Sequence, residues 1–240
     1  MNRTEIIKLK EANCKNCYRC LRHCPVKSIA FRNDQAEIIS KSCILCGQCL
    51  LECPQNAKYI NSERQVIQSC MSRGEKLYVS LAPSFATAFP QVSVAKMSAA
   101  LKQLGFTHVE ETAIGAARVT QEYDQLIEAH AMDNIIATSC PSIVLLVERH
   151  FPDLIPFLAP VVSPMVAHAR MMRDVYGPRI KVVFIGPCIA KKHEVIDPEN
   201  RQAVFATITF EQLADWFAEA GIDPEKCVED ESQRTPHNTL

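Results

Sequence analysis

Two runs of this chain carry one punctuation. "CKNCYRCLRHCP", residues 14–25, and "CILCGQCLLECP", residues 43–54, both read C-x2-C-x2-C-x3-C-P and together take eight of the twelve cysteines. Three cysteines at steps of three can wrap one compact group, and a fourth closed by proline points away from it. Whether such thiols stay reduced depends on the compartment. "MNRTEIIKLK" lacks the apolar stretch of a secretory signal, and no uncharged apolar run reaches the roughly 18 residues of a membrane span. The nearest approach, Leu154 to Ala167, is broken by Pro156, Pro160 and Pro164. The chain is therefore expected in the cytoplasm with no membrane partner, where cysteines serve as metal ligands more often than as disulfide halves. Its 26 basic and 27 acidic residues leave a formal charge of -1, without the basic footprint of a nucleic-acid binder.

The paired runs resemble those of two-cluster bacterial ferredoxins, over about residues 5 to 61. That resemblance implies two 4Fe-4S clusters with crossed ligation. Cys14, Cys17, Cys20 and Cys53 would hold one, and Cys43, Cys46, Cys49 and Cys24 the other. Zinc is the competing metal, since four-cysteine tetrahedral sites also use C-x2-C pairs, but zinc ribbons carry two pairs rather than two quartets each closed by Cys-Pro. "EIIKLK" and "AEIIS" ahead of the two runs read as short strands, and each run as a loop leading into a turn of helix. A core this small gains much of its folding free energy from its metals. The resemblance implies single-electron transfer, and hence a redox partner protein.

Beyond a charged stretch at 62–76, expected as a linker, strand-like runs alternate with amphipathic segments. "LYVSLAP" precedes Val92 to Leu104, "HVEE" precedes Ala116 to Ala129, and "NIIATSCP" precedes Ile143 to His150. Then come Pro164 to Val175, "KVVFIGPC", "AVFAT" and "TFEQLADWFAEAG". Such alternation predicts βαβ units and a largely parallel sheet. The fold class expected is an α+β ferredoxin-like module at 1–61 followed by an α/β domain at 77–226, with a polar tail at 227–240. With 48 % hydrophobic residues the chain can bury a sizeable core, to which Trp216 and Phe217 belong. Cys140 and Cys188 each fall just beyond the carboxyl end of a predicted strand, where open α/β sheets place their sites.

"ATSCPSIVLLVERHFPDLIPFLAPVVSP" and "VVFIGPCIAKKHEV" resemble the first two active-site signatures of the iron-only (FeFe) hydrogenases, which in typical members read T-S-C-C-P-x-W and M-P-C-x-x-K-K. "LYVSLAPSF" resembles the strand opening their catalytic domain, so the likeness runs over about residues 10 to 225. It implies that Cys140 and Cys188 are ligands of the active-site cluster, a 4Fe-4S cube joined through a cysteine to a two-iron unit. Lys191 would match the lysine that hydrogen-bonds a cyanide of that unit.

The departures are specific. Ser139 stands where catalytic members have a proton-relay cysteine, and an alcohol is far less acidic than a thiol. Ala159 replaces a serine of the usual proton route, "SPM" replaces serine-proline-glutamine, and Gly186 replaces a methionine. The third signature, a C-x3-C pair supplying two further ligands, has no match after Cys188, where only Cys227 remains. Two of four expected ligands are missing, so the chain is expected to be a fragment or a degenerate member. Lone Cys70 and Cys227 lack the clustered ligands of a closed metal site, and His23, His150 and His168 read as surface or satisfied core groups. Three functions follow. The first is a sensory or low-activity hydrogenase-like redox protein, with the active-site cluster present only if the missing ligands are supplied. The second is a stand-alone ferredoxin-type electron carrier whose α/β region docks a redox partner. The third is a non-catalytic relative like the eukaryotic iron-sulfur assembly factors, against which the two complete quartets count.

Overall fold

The computed structural model describes residues 6–230. In chain order these form β1 (Ile7–Leu9), α1 (Arg19–His23), β2 (Ile29–Arg32), β3 (Gln35–Ile38), α2 (Gln48–Leu51), β4 (Lys58–Ile60) and α3 (Arg64–Ser72). They continue with β5 (Leu77–Leu81), α4 (Phe85–Ala88), α5 (Val94–Gln103), β6 (His108–Glu111), α6 (Ala113–Glu128) and α7 (Pro141–His150). The last are α8 (Pro164–Tyr176), β7 (Lys181–Ile185), α9 (Lys191–Glu194), α10 (Pro198–Arg201), β8 (Val204–Ile208) and α11 (Phe210–Ala220). The chain divides into two compact units. One takes the residues up to Asn61 together with Met132–Pro160 and Cys188–Ile196, and the other takes Ser62–Ala131, Val161–Pro187 and the chain from Asp197 onward.

The first unit has two antiparallel ladders, β1 with β4 and β2 with β3. Ladders of three and four residues are too short to be stable by themselves, so the packing between them matters. Ile6, Ile7, Ile29, Ala36, Ile44 and Leu45 form one buried cluster with Cys20, Cys24 and Cys49. Leu145 of α7 and Ala190, just before α9, complete the same core. Arg19 and His23 of α1 pair with Glu52 at 2.9 and 3.5 Å, joining the two cysteine-bearing helices at the surface.

The segment "NIIATS" does not form the strand expected there. Ile136 makes a single parallel bridge with Leu158, through Ile136 N to Phe157 O at 2.7 Å and Ala159 N to Ile136 O at 3.0 Å. Pro156 and Pro160 bracket the partner segment, and a proline has no N–H with which to extend a ladder. Cys140 therefore follows an irregular segment instead of a sheet strand, and it caps the start of α7.

The second unit is built on a four-stranded, wholly parallel sheet in the order β6-β5-β7-β8. All five residues of β5 are buried, as a central parallel strand covered on both faces requires. Residues 64–72 of the expected linker are instead helical, because Ile67 and Cys70, one turn apart, are both buried. Glu63, just before this helix, accepts the backbone N–H of Thr207 at 2.8 Å and so satisfies a donor on edge strand β8. A Thr209–Gln212 capping box starts α11, and Gly221 ends it in the left-handed region at φ 67°. Trp216 and Phe217 are buried, as expected of core positions. Residues 227–230 of the expected polar tail run along α5, where Asp230 accepts from the buried Ser98 hydroxyl at 3.0 Å. The remainder of that tail, 231–240, lies outside the described residues. Among the described residues no helix is long and apolar enough to cross a membrane.

Helices α6 and α8 approach closely at Gly115, where a Cβ would stand 2.3 Å from Pro164 O and 2.6 Å from His168 Cβ. That approach seats His168, which is fully buried and fully used. Its Nδ1 lies 2.8 Å from Ser80 Oγ, which in turn meets Thr112 Oγ1 at 2.8 Å, and its Nε2 lies 3.1 Å from Glu110 Oε2. Glu110 also accepts from the Tyr176 hydroxyl at 2.5 Å and contacts His108 at 3.0 Å. Burial pushes the Glu110 carboxyl up, but the hydrogen bonds from His168, Tyr176 and His108 outweigh it and hold the group at about 2. Burial and the same carboxylate push Tyr176 up to about 12.

A carboxyl depressed in the folded state contributes stability above its ordinary value and loses it as pH falls toward the folded value. Thermal unfolding is therefore expected to lose up to about 3 kcal/mol of stability between pH 4.5 and pH 2 through Glu110. Glu110→Gln should flatten that acid limb and lower stability at pH 7. An unchanged acid limb in the variant would contradict the assignment.

Candidate functional site

The two cysteine runs fold as near copies of each other. Left-handed backbone recurs at matched positions: Asn16 and Leu45, each two residues past the first cysteine; Tyr18 and Gly47, which cap α1 and α2; and Lys27 and Asn56, three past the last cysteine. Five of these six are not glycine, and non-glycine residues in this region cost on the order of 1 kcal/mol each. The strain curls the loops so that backbone N–H groups face sulfur. Ser28 N donates to Cys24 Sγ at 3.2 Å, Ala57 N to Cys53 Sγ at 3.3 Å, and Leu45 N to Cys43 Sγ at 3.4 Å. These are the donors a thiolate ligand needs. Sequence reading located the cysteines but not these turns, since Tyr, Leu and Lys carry no turn signal and the turn formers Asn16, Gly47 and Asn56 stand singly.

Cys20, Cys24, Cys49 and Cys53 are buried, Cys14 and Cys43 partly so, and Cys17 and Cys46 are exposed. All are free thiols. Burial raises the Cys43 thiol, and Cys24 and Cys46 lie near enough to push it further. Burial drives Cys49 up to about 12, with Lys58 opposing and Cys43, Cys46 and Cys20 adding to the rise. The exposed Cys17 is lowered, chiefly by the Arg19 backbone N–H. Cys24 of the first run shares one buried cluster with Cys49 of the second. Among the described residues no three of these groups close around a single ion.

The other named residues lie in the same unit as the quartets. Cys188 packs against the buried cluster containing Cys20, Cys24 and Cys49, while Cys140 is exposed at the start of α7. Lys191 is buried; its Nζ donates to Ser139 O at 3.2 Å and pairs with Glu194 at 2.8 Å. The lysine after Cys188 thereby ties its segment to the residue before Cys140. Gly186, in the second unit, has a steric reason for its departure from methionine: a Cβ there would stand 2.7 Å from Phe184 Cζ and 2.9 Å from Ala82 Cβ.

Outside these runs, Cys70 is buried and accepts from Arg73 at 3.1 Å and Lys181 at 3.4 Å, and Cys227 is buried beside Gln103. His168 is the satisfied core histidine described above. His150 lies on α7, with Nε2 2.8 Å from Ser42 O.

Free, partly buried thiols supplied with N–H donors fit an iron-sulfur centre, and residues 6–73 match the 4Fe-4S dicluster domain. The parallel sheet that follows defines the class further, since residues 75–239 match the iron only hydrogenase large subunit, C-terminal domain. The chain belongs to the iron-only hydrogenase family and is an iron-sulfur protein. It is 30% identical over 227 residues to the NADP-reducing hydrogenase subunit HndD of Solidesulfovibrio fructosivorans, covering 81% of this chain and 38% of that protein. It is 26% identical over 183 residues to the cytosolic Fe-S cluster assembly factor NAR1 of Yarrowia lipolytica, covering 67% of this chain and 37% of that one. An [FeFe]-hydrogenase structure from Chlamydomonas reinhardtii shares the fold with TM-score 0.59 at 21% identity, over 72% of this chain and 51% of its own. The chain thus spans less than two fifths of these curated relatives.

Because the first unit is packed around its cysteines, chelation or aerobic cluster loss is expected to melt it while leaving the helicity of α3, α5, α6, α8 and α11. Far-UV circular dichroism with and without chelator, joined to limited proteolysis, checks this. A single transition that removes all helicity together would contradict it.

Proposed function

We propose that this chain transfers single electrons through two 4Fe-4S clusters held in crossed fashion, by Cys14, Cys17, Cys20 and Cys53 and by Cys43, Cys46, Cys49 and Cys24. The observation that carries this reading is that Cys24 of the first run shares one buried cluster with Cys49 of the second, with Cys43 packed against it. A cluster, when bound, accepts and returns one electron without a change of ligand. The protein's part is to place sulfur at the corners, aim Ser28, Ala57 and Leu45 N–H groups at it, and keep it in an apolar core. Electrons delivered this way require a redox partner protein.

Cys140 and Cys188 are two ligand positions for the family's active-site cluster, and Lys191 offers a buried ammonium beside them. Its contacts with Ser139 O and Glu194 use two of its three donors and leave one for an anionic group. Ser139 itself offers an alcohol where proton transfer calls for a thiol, so proton delivery is the weak step. The likeness to NAR1 supports a second reading, in which the α/β region does no hydrogen chemistry.

Anaerobic reconstitution of the chain is expected to yield about eight irons and eight sulfides. Iron near half that content, or stoichiometric zinc, would refute the two-cluster assignment. Cys24→Ser should remove the electron paramagnetic resonance signal of the cluster on Cys43, Cys46 and Cys49. Loss of the other signal would overturn the crossing.

Hydrogen evolution with reduced methyl viologen is expected to be negligible for the 240 residues, even after maturation. Robust production by the unmodified chain would show this wrong. In a version supplied with a downstream C-x3-C, Ser139→Cys should raise turnover by about 10² to 10⁴-fold if proton relay is the defect. No gain there would favour the non-catalytic reading.

A further inference from the structure

The last turn of α7 carries Arg149 and His150, and neither belongs to a ligand set. Both reach back to the loop that begins the second cysteine run. Arg149 Nη1 donates to Ser40 O at 2.8 Å and also to Cys43 O. His150 Nε2 donates to Ser42 O at 2.8 Å, and Arg149 Nη2 lies 3.4 Å from His193 Nε2. Carbonyls 40, 42 and 43 are thus drawn toward one helix end. Cations at a helix carboxyl terminus are also favoured by the helix dipole, so the arrangement is consistent with α7 as well as with the loop.

Arg149 thus places its guanidinium against the backbone of Cys43, a ligand residue in the proposed assignment. A cavity of about 270 Å³ opens at the same place, its walls formed by Ile6, Ile7, Ile38 and Leu45, with Lys41, Arg149 and His193 as its basic groups. Fixed positive charge in a low-dielectric setting favours the more negative form of a redox centre, and the reduced cluster carries one more negative charge than the oxidised one.

We infer that Arg149 raises the reduction potential of the cluster held by Cys43, Cys46, Cys49 and Cys24, acting as a fixed charge and as the clamp that orients the Cys43 loop. The inference rests on the cluster assignment proposed above. The couple is one electron taken from an external reductant such as dithionite, with no bond made or broken. Arg149 is a positioning residue, and its effect is read in the potential rather than in turnover.

The test is a mediated potentiometric titration of the reconstituted full chain, followed by electron paramagnetic resonance, with iron content measured on each sample. At the native midpoint Arg149→Gln is expected to show about a tenfold lower ratio of reduced to oxidised cluster, a downward shift of about 59 mV for a one-electron couple. The cluster on Cys14, Cys17, Cys20 and Cys53 should move less. Arg149→Lys, which keeps the charge without the planar fork, should stay within about twofold of native. A fully loaded Arg149→Gln with an unmoved midpoint, or an equal shift in both clusters, overturns the inference. Should Arg149→Gln fail to load iron, the lysine variant decides alone, since a tenfold loss there overturns the role of charge and a retained potential supports it. Failure of the underlying assignment is distinct, because it appears as half-content iron in the native chain.

Discussion

Cys20, Cys24, Cys49 and Cys53 are buried where a small domain would otherwise place leucines, and the first unit is arranged around what those sulfurs require. A thiolate in an apolar core is costly without positive charge and hydrogen-bond donors, which is why burial, with neighbouring thiols adding to it, drives Cys49 up to about 12. In the proposed assignment iron would supply the charge, and the left-handed turns supply the N–H groups. Short ladders and an aliphatic cluster of eight residues are a small core for holding those turns, so metal binding and folding are expected to be coupled. Arg149, His150 and Lys58 extend the same theme outward, each bringing positive charge or a donor to the second run.

The second unit meets a different constraint. A parallel sheet covered on both faces leaves no room for unsatisfied polar groups, yet Ser80 of β5 and Glu110 of β6 are polar and meet His168 of α8, with Thr112 beside Ser80. They are tolerated because they satisfy one another and because Tyr176 and His108 carry the chain of hydrogen bonds to the surface. Gly115 permits the helix approach that puts His168 in register with Ser80.

Cysteine spacing, the alternation of strand and helix, and the Pro-Cys steps could be read from the chain because each is a local pattern with a local physical cause. Ligand spacing follows from the size of a metal group, and periodicity from which face of an element is buried. "NIIATS" misled for the converse reason: its apolar run has strand composition, but the prolines that stop the ladder lie in its partner, near Leu158. The helix at 64–72 was hidden because its polar residues outnumber Ile67 and Cys70, the two that are buried.

The sequence by itself determined the cysteine quartets, the order of a ferredoxin-like module and a parallel α/β domain, and the replacement of a relay thiol by Ser139. Only tertiary structure decided that Cys140, Cys188 and Lys191 share a compact unit with the quartets, that Lys191 reaches Ser139, and that Arg149 and His150 hold the Cys43 loop. Each of these contacts joins residues far apart in the chain. Whether they form depends on how complete elements pack and on which buried carbonyl or carboxylate is left to accept a hydrogen bond, quantities that no local pattern of residues encodes.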